Sequence, residues 1–546
     1  GVMKEMPSNS HIHYNFLISY KSLGQYLHDY WYKHEVYTYV LLDSPERKEE
    51  IEKAFPAMSE KYKTDEALKN KIWGVSLTPL ADIHLKPQVG YEAEIKGNRT
   101  AMIALIFAAI AILAIAWINY INLTVARSME RAKEVGVRRV IGAFRKQLVS
   151  QFLFEALVMN LVALVLAVGL IELILPYFNQ LVSRTVTFSV WLTGYWWLLL
   201  LIVFVGGIFL SGYYPALALL NRKPITLLKG KFLNSKSGEG TRKVLVVVQY
   251  TASMILLCGT LIVFAQLNFM RNQSLGVKTD QTLVVKFPGR TEGMNTKLEA
   301  MKKAIARLPL VDKVTFSGAV PGEEVATFLS NRRKSDALKQ NRLYEMLVCD
   351  PDYIDAYGLQ LVAGRGFSED YGDDVNKLVV NESAVRNLGI ASNEEALGEE
   401  IEVECTDAPM QIIGVVKDYH QQALNKNYTP IMLIHKDKIG WLPQRYISIV
   451  MKSGDPKELV SQVEEIWHRY FEDSSYDFFF LDQFFDHQYR QDEVFGVMIG
   501  CFTGLAIFIS CLGLWVLVMF SCTTRTKEMG IRKVLEIGRA SCRERV

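Results

Sequence analysis

The sequence contains no phosphate-binding loop. No segment matches G-x-x-x-x-G-K-[ST], and the nearest strings, KGKF and GVKT, lack the spacing that cradles a phosphate group. The first twenty residues, GVMKEMPSNSHIHYNFLISY, show neither the basic start nor the apolar core of a secretory signal. The net charge of +3 is too small to indicate a nucleic-acid partner. These absences argue against an ATPase and against a nucleic-acid-binding protein.

Histidine patterns give little support for a metal centre or an active site. His11 and His13 have metal-ligand spacing on a strand, but the sequence offers no third ligand beside them. His84, His420 and His487 lie in separate segments without a nucleophile signature. The sequence therefore predicts no catalytic residue, no cofactor and no metal site.

The acidic residues and the cysteines also give no specific evidence for a metal site or a disulfide. Asp370, Asp373 and Asp374 lack the spacing of a calcium-binding loop and its terminal glutamate, which favours a solvated turn. Among seven cysteines, Cys349 and Cys405 are the pair that an oxidising compartment would reach. Free thiols are common in buried positions, so two free cysteines are favoured over a disulfide.

Long apolar runs are the dominant feature that is present. Half of the residues are hydrophobic, and they are concentrated in a few segments. A helix needs about 20 apolar residues to cross the hydrocarbon core of a membrane. Five segments meet this requirement and predict membrane spans at about 101–124, 150–175, 194–219, 244–268 and 493–520.

The distribution of basic residues predicts the topology. Lysine and arginine are frequent between the first and second spans, between the third and fourth spans, and after the fifth span. The positive-inside rule places these segments in the cytoplasm and places residues 1–100 and 269–492 outside. An outer segment at residue 1 needs a preceding membrane helix, so we expect the sequence to be a fragment of a longer chain.

Both outer segments have α+β patterns. In residues 1–100, Ser44 and Pro45 predict the start of a helix, and WGVSLTPLADIHL predicts a strand followed by a turn into the stretch next to the membrane. This resembles the closing half of a small domain. In residues 269–492, short β-rich runs alternate with helices such as ELVSQVEEIWHRYF, which predicts a complete α+β domain.

A basic phrase occurs twice in the chain. RAKEVGVRRVI at residues 131–141 corresponds to RTKEMGIRKVL at 525–535, and each copy follows a span that arrives from an outer segment. In the first copy, a helical stripe of apolar residues is predicted at Val137, Val140, Ile141, Phe144 and Leu148. The simpler alternative is a basic loop whose only role is to fix the orientation of the spans. Such a loop does not require the same residues in the same order in both copies. The repeat therefore favours docking to a partner or to membrane lipid.

Two acidic residues lie at hydrocarbon depth, where a charge is costly. They are Glu155 and Glu172. For Glu155, a structural hydrogen bond to a neighbouring helix end is favoured over a part in proton coupling.

The motifs resemble those of a known family. RSMERAKEVGVRRVIGAFRKQLVSQFLFEALVMN and LSGYYPALALLNRKPITLLKGK resemble FtsX-like permeases, the membrane subunits of ABC systems of the mechanotransmission class, also called type VII. LVAGRGFSEDYGDDVNKLVVNESAVRNLG, LGEEIEV and IIGVVKDYH are similar to the MacB-like periplasmic core domain. The fold class expected is a helical transmembrane bundle with α+β extracytoplasmic core domains, in a duplicated form truncated at both ends.

The resemblance implies a function and a set of residues. A separate ABC ATPase would dock on short cytoplasmic coupling helices, and its motion would reach the outer domains and drive export or extraction of a substrate. A periplasmic adaptor or an outer-membrane channel would be further partners in a bacterial inner membrane. With two fused units, one chain could supply both halves of the permease. The implied coupling residues are Arg131, Lys133, Glu134, Gly136, Arg138 and Arg139 in the first copy, and Arg525, Lys527, Glu528, Gly530, Arg532 and Lys533 in the second.

Two other functions remain open at this point. In one, the same motion activates a cell-wall hydrolase or a sensor kinase, so that the chain is a signalling scaffold. In the other, the chain is a membrane-tethered adhesion or binding protein without an ATPase.

The domain boundaries expected from these patterns are as follows. Residues 1–100 end the first core domain, 101–230 form the first FtsX-like domain with a coupling helix at about 127–147, 231–268 hold a linker and a span, 269–492 form the second core domain, and 493–535 begin the second FtsX-like domain. The tail 536–546 has no counterpart in the first copy, and its EIGRA string matches a translated sequencing adapter, so it is expected to be an artefact.

Overall fold

The chain divides into two units, Gly1–Ala104 and Leu105–Val546. The computed structural model describes residues 1–4, 6, 10, 12, 14–22, 36–63, 73–85, 97–130, 132–189, 194–220, 236–288, 294–336, 341–424, 426–442 and 444–534. His11, His13, Arg131 and the tail 536–546 lie outside these ranges.

The described residues of the first unit include one helix, two 3-10 segments at 20–22 and Leu80–Leu85, and the first residues of a longer helix that begins at Arg99. Helix α1, Arg47–Tyr62, confirms the helix predicted from the Ser44 and Pro45 pattern. The strand predicted at the start of residues 73–85 is wrong, because residues 73–79 are irregular; the turn predicted after it is a 3-10 helix, Leu80–Leu85. The backbone of Leu77 instead donates to the Glu52 carboxylate of α1 at 2.8 Å. The alternation of apolar residues did not produce a strand, because the described residues of this unit include no partner strand for it.

The five predicted membrane spans are confirmed as helices. Within the described ranges, five helices are long and apolar enough to cross a membrane: Arg99–Thr124, Arg145–Val182, Trp196–Tyr213, Lys243–Asn272 and Leu481–Met519. They belong to longer helices, with one short helix between the first two. In chain order these are α2 Arg99–Glu130, α3 Ala132–Val140, α4 Arg145–Val182, α5 Trp196–Leu220, α6 Lys236–Asn272 and, after the outer domain, α11 Leu481–Val534.

The outer domain between α6 and α11 contains two β-structures. The first is an antiparallel sheet in the order β11-β1-β10-β2. Its strands are β1 Thr282–Lys286, β2 Val311–Ser317, β10 Tyr446–Met451 and β11 Phe478–Phe480. Helices α7 Met294–Ile305 and α10 Pro456–Tyr470 pack on it through a shared apolar core. The predicted stripe of α10 is confirmed, since Leu459, Val463 and Ile466 are buried there. This β-α-β-β-α-β order is that of ferredoxin-like folds.

The second β-structure is a closed barrel inserted between β2 and β10. Its six strands are β3 Phe328–Arg333, β4 Arg342–Cys349, β6 Lys377–Asn381, β7 Glu400–Glu402, β8 Met410–Val416 and β9 Ile431–His435. The ring runs β4-β3-β7-β8-β6-β9 and closes where β9 pairs with β4 in parallel. Closure removes the exposed edges of these strands. The short elements α8 Tyr353–Ala356, β5 Leu361–Gly364 and α9 Glu382–Asn387 complete the domain.

The motif residues of the outer domain hold this barrel together. Gly364 has a φ of +69°, and a Cβ there would lie 2.2 Å from the Ile413 carbonyl oxygen. The Asn381 side chain caps α9 by accepting from the Ala384 amide at 2.9 Å, and it also accepts from the Ile431 amide at 3.0 Å. These positions are therefore required by the fold.

Helices α6 and α11 leave the outer domain as an antiparallel pair with a polar seam. The hydroxyls of Ser253 and Ser510 are 2.8 Å apart, and those of Thr260 and Thr503 are 2.6 Å apart. Both pairs are buried, and the two positions on each helix are seven residues apart. This spacing matches the heptad repeat of helices that supercoil around each other.

Candidate functional site

The first copy of the basic phrase forms a separate short helix, α3. The helix ends at Val140, and Gly142 follows with a φ of +104°. The Ala143 amide donates to the Arg138 carbonyl oxygen at 2.9 Å, which is the closing bond of a Schellman cap. The expected single helix over 127–147 is therefore wrong, because Gly142 separates α3 from α4.

One side of α3 is buried against the ends of two spans. Val135 lies in an apolar cluster with Leu148 of α4 and with Ala216 and Leu220 of α5. Gly136 is buried beside it. Burial of apolar area stabilises such a contact by about 25 cal/mol per Å². The helix is thus packed onto the permease rather than lying free beside it.

Arg139 fastens α3 to α5. Its Nη1 donates to the Leu220 carbonyl oxygen, the last of α5, at 3.1 Å. The last carbonyls of a helix have no partner within the helix and carry a partial negative charge. A guanidinium is well suited to this position.

Arg138 fastens α3 to α4 through a chain of polar contacts. Its guanidinium forms an ion pair with Glu134 at 2.7 Å and donates to Gln151 Oε1 at 2.7 Å. Gln151 Nε2 then donates to Glu155 Oε1 at 3.3 Å. Glu155 therefore accepts from its own helix, and this contact is one member of a network that ends on α3. Sequence reasoning missed Gln151, although its position one turn before Glu155 was a signal for it.

The outward side of α3 is an apolar edge, which we define as Val137, Val140, Ile141 and Phe144. All four are exposed, Ile141 to 80% and Phe144 to 74%. Leu148, predicted on the same stripe, is instead buried in the cluster with Val135. The predicted stripe is thus exposed from Val137 to Phe144 and buried at Leu148.

The second copy of the phrase continues α11 without a break. The backbone is helical through Val534, so Arg525, Lys527, Glu528, Gly530, Arg532 and Lys533 all lie on this helix. Their side chains lie outside the described part of the structure, as does that of Lys133.

The weaker candidates are not brought together. His420 lies 4.5 Å from the ring of Tyr428, and burial lowers its pKa. His487 lines a cavity of about 770 Å³ where α6 and α11 leave the outer domain. His84 is in the 3-10 helix of the first unit.

The acidic turn has a structural role. Arg365 binds Asp374 with two hydrogen bonds of 2.7 Å and holds the pKa of that carboxyl below its usual range. Asp373 pairs with Lys377 at 3.1 Å. Cys349 is buried on β4, and Cys405 is exposed; both thiols are free.

Two families match this arrangement. Residues 106–224 match the FtsX-like permease C-terminal family, and residues 251–466 match the MacB-like periplasmic core domain. The chain therefore contains an FtsX-like permease domain and a MacB-like periplasmic core domain. The FtsX-like match contains α3 and its contacts with α4 and α5. The MacB-like match contains the barrel and most of the ferredoxin-like sheet.

Curated relatives are similar over part of their length. The macrolide export ATP-binding/permease protein MacB of Campylobacter jejuni is 32% identical over 133 residues, which are 24% of this chain and 20% of that protein. A probable export ATP-binding/permease protein of Pseudomonas fluorescens is 24% identical over 199 residues, 35% of this chain and 30% of that protein. The chain thus spans a fifth to a third of these relatives.

A solved structure is similar to part of this chain. It is the periplasmic region of MacB from Actinobacillus actinomycetemcomitans, at 16% identity and a TM-score of 0.29, covering 40% of this chain and 97% of that one.

Proposed function

We propose that this chain is the permease subunit of an ABC system in a bacterial inner membrane. A separate ATPase hydrolyses ATP in the cytoplasm, and the permease passes the resulting motion to its extracytoplasmic domains. That motion drives export or extraction of a substrate such as an antimicrobial, a peptide or a lipoprotein.

The observation that carries this proposal is the continuity of α11. This helix of 54 residues begins in the periplasmic core domain and ends in the second basic phrase. Its first turns are part of the domain core, where Leu481, Phe485 and Tyr489 are buried. Gln488 Nε2 also donates to the Gly322 carbonyl oxygen at 2.6 Å. Since a helix holds its hydrogen-bonded geometry, a displacement of the phrase moves the core domain as well.

The two phrases would be the coupling helices. In the first copy, α3 offers the apolar edge to the ATPase, while Arg138 and Arg139 hold the helix on the permease. Arg131, Lys133, Glu134 and Gly136 complete this helix. Membrane lipid is the competing occupant, and the Glu134 ion pair with Arg138 weakens that alternative because it removes positive charge near the headgroups.

A charge on the apolar edge tests the coupling proposal. The chain is expressed together with an ABC ATPase from the same genome, and the two are purified together from membranes. Ile141→Asp should abolish co-purification, because it places a carboxylate in a desolvated contact. Ser150→Asp, which adds the same charge to an exposed site on α4, should leave co-purification intact. Retention of the ATPase by Ile141→Asp at the level of the control would contradict the proposal.

A second experiment separates export from signalling. Cells that carry the intact system should export or release a substrate in an ATP-dependent manner, and an adaptor or an outer-membrane channel should co-purify with the core domain. Co-purification of a cell-wall hydrolase or a sensor kinase, without substrate movement, would show that the ATP-driven motion of the core domain serves signalling instead.

A further inference from the structure

The two repeats of this chain touch at corresponding residues. Corresponding positions of the basic phrase are 394 residues apart, as Arg131 and Arg525 are. Helix α2 continues to Glu130, directly before the first phrase, and α11 continues without a break into the second phrase, so the same offset applies to the membrane spans that precede the phrases. Asn119 of α2 therefore corresponds to Gly513 of α11.

These two residues are in direct contact. A Cβ built on Gly513 would lie 2.2 Å from Asn119 Oδ1 and 2.6 Å from its Cγ. Asn119 Nδ2 donates to the Ile509 carbonyl oxygen at 3.0 Å, one turn before Gly513. By the same offset Ile509 corresponds to Ile115, one turn before Asn119. The asparagine thus meets its own counterpart and the residue one turn before it.

Contact between corresponding positions is the mark of a two-fold axis. In an isologous interface, a residue on the axis meets its own copy, and its neighbours meet each other reciprocally. A crossing of two unrelated helices has no reason to bring corresponding positions together. We infer that α2 and α11 cross on an internal pseudo-two-fold axis, at Asn119 and Gly513, so that one chain supplies both halves of the permease.

The chemistry of the pair also favours pairing of α2 with α11 over pairing of either helix with its own copy. Gly513 has no side chain, and this leaves room for the Asn119 amide to reach the backbone of α11. Two chains that paired through α2 would place two asparagines on the axis, and pairing through α11 would place two glycines there. In neither of these pairings does an asparagine side chain occupy the space left by a glycine. An asparagine opposite a glycine requires one helix of each repeat.

This inference does not rest on coupling to an ATPase. It depends on the repeat and on a contact within the membrane, so it can fail while the proposed function holds. Conversely, retention of the ATPase by Ile141→Asp would contradict the proposed coupling and would leave the axis unaffected.

Disulfide trapping in native membranes tests the inference. The seven cysteines of the full-length chain are replaced by alanine, a protease site is placed within residues 221–235, and Asn119→Cys is combined with Gly513→Cys. The Cβ atoms should be about 4 Å apart, a spacing at which disulfides form. After oxidation with copper phenanthroline and proteolysis, the two fragments should stay joined until a reductant is added. Asn119→Cys with Trp515→Cys is the matched control, because Trp515 is exposed, and it should not join the fragments.

The outcomes are distinct. Joined fragments of one chain support the inference. Disulfide-linked dimers from either single variant, or from the double variant, would place the axis between two chains and overturn it, as would the absence of any linkage. The mass of the unmodified chain in lipid nanodiscs is a second measurement that needs no substitution. One chain of 62.1 kDa per disc is expected, and two chains per disc would overturn the inference.

Discussion

The guanidinium of Arg139 donates a hydrogen bond to the carbonyl oxygen of Leu220, at the end of a helix 81 residues further along the chain. This bond ties the short helix α3 to the third span. It gives the basic phrase a role within the permease that charge alone did not reveal.

Loss of this bond should loosen α3. Arg139→Ala removes a partly exposed hydrogen bond from a charged donor, at a cost of about 1 kcal/mol. Amide hydrogen exchange of residues 132–143 should become roughly fivefold faster. Lys146→Ala, at an exposed position on α4, is the control and should leave this exchange unchanged. Equal exchange in both variants would show that Arg139 does not anchor the helix.

The turn after α3 should depend on the backbone freedom of Gly142. Its φ of +104° is strained for any residue with a side chain, although open space surrounds it. Gly142→Ala should therefore destabilise this turn by about 1–2 kcal/mol. Gly169→Ala, in open space within α4 and at an ordinary helical φ, should be neutral or stabilising. The measurement is hydrogen exchange of the same segment, and a neutral Gly142→Ala would contradict the strained geometry.

Glu345 should make stability depend on pH. Burial in β4 raises its pKa from 4.5 to about 7, although Thr429 donates to its carboxylate at 2.9 Å. The folded state holds this proton more tightly than the unfolded state, so the contribution of Glu345 to stability is fully present below pH 4.5 and is lost as pH rises to about 7. The loss should be about 3 kcal/mol.

Substitution isolates this contribution. Thermal unfolding of the full chain between about pH 4.5 and 7.5 should show a smaller decline for Glu345→Gln than for the unchanged protein. Glu472→Gln, at an exposed position, should retain the full decline. An unchanged slope in Glu345→Gln would mean that this carboxyl does not titrate with folding.

The polar seam should contribute little stability. A hydrogen bond between membrane helices is worth about 0.6 kcal/mol on average. A double-mutant cycle of Thr260→Val and Thr503→Val, measured by unfolding in mixed detergent micelles, should give a coupling energy near this value. Thr503 also donates to the Leu256 carbonyl oxygen at 3.3 Å, which limits the cost of removing Thr260. A coupling energy above about 2 kcal/mol would show that the seam dominates the pairing of α6 and α11.

Local patterns predicted the parts of the fold that depend on local chemistry. The spans followed from apolar length, and α10 followed from the spacing of Leu459, Val463 and Ile466. The barrel did not follow, because β4 closes onto β9 through pairs such as Glu345 and Ile431, which are far apart in the chain. No periodicity within either strand specifies that partner.

The site was predicted by residue type but not by orientation. The repeat identified Arg138 as important, yet its acceptor, Gln151, lies 13 residues away on another helix. The two meet because Gly142 turns the chain back between α3 and α4. A stripe drawn through a continuous helix could not show this, and it placed Leu148 on the same exposed face as Ile141.

Because α11 is continuous, its length determines the direction in which the second basic phrase faces. At 1.5 Å per residue, its 54 residues extend about 81 Å, and each residue adds about 100° of rotation. Two extra residues anywhere along it would turn the second basic phrase by about 200° relative to the periplasmic core domain. The bilayer could accommodate the extra length of such an insertion. The basic phrase, however, would then face a different direction around the helix axis. Length variation in this helix should therefore occur in steps near whole turns.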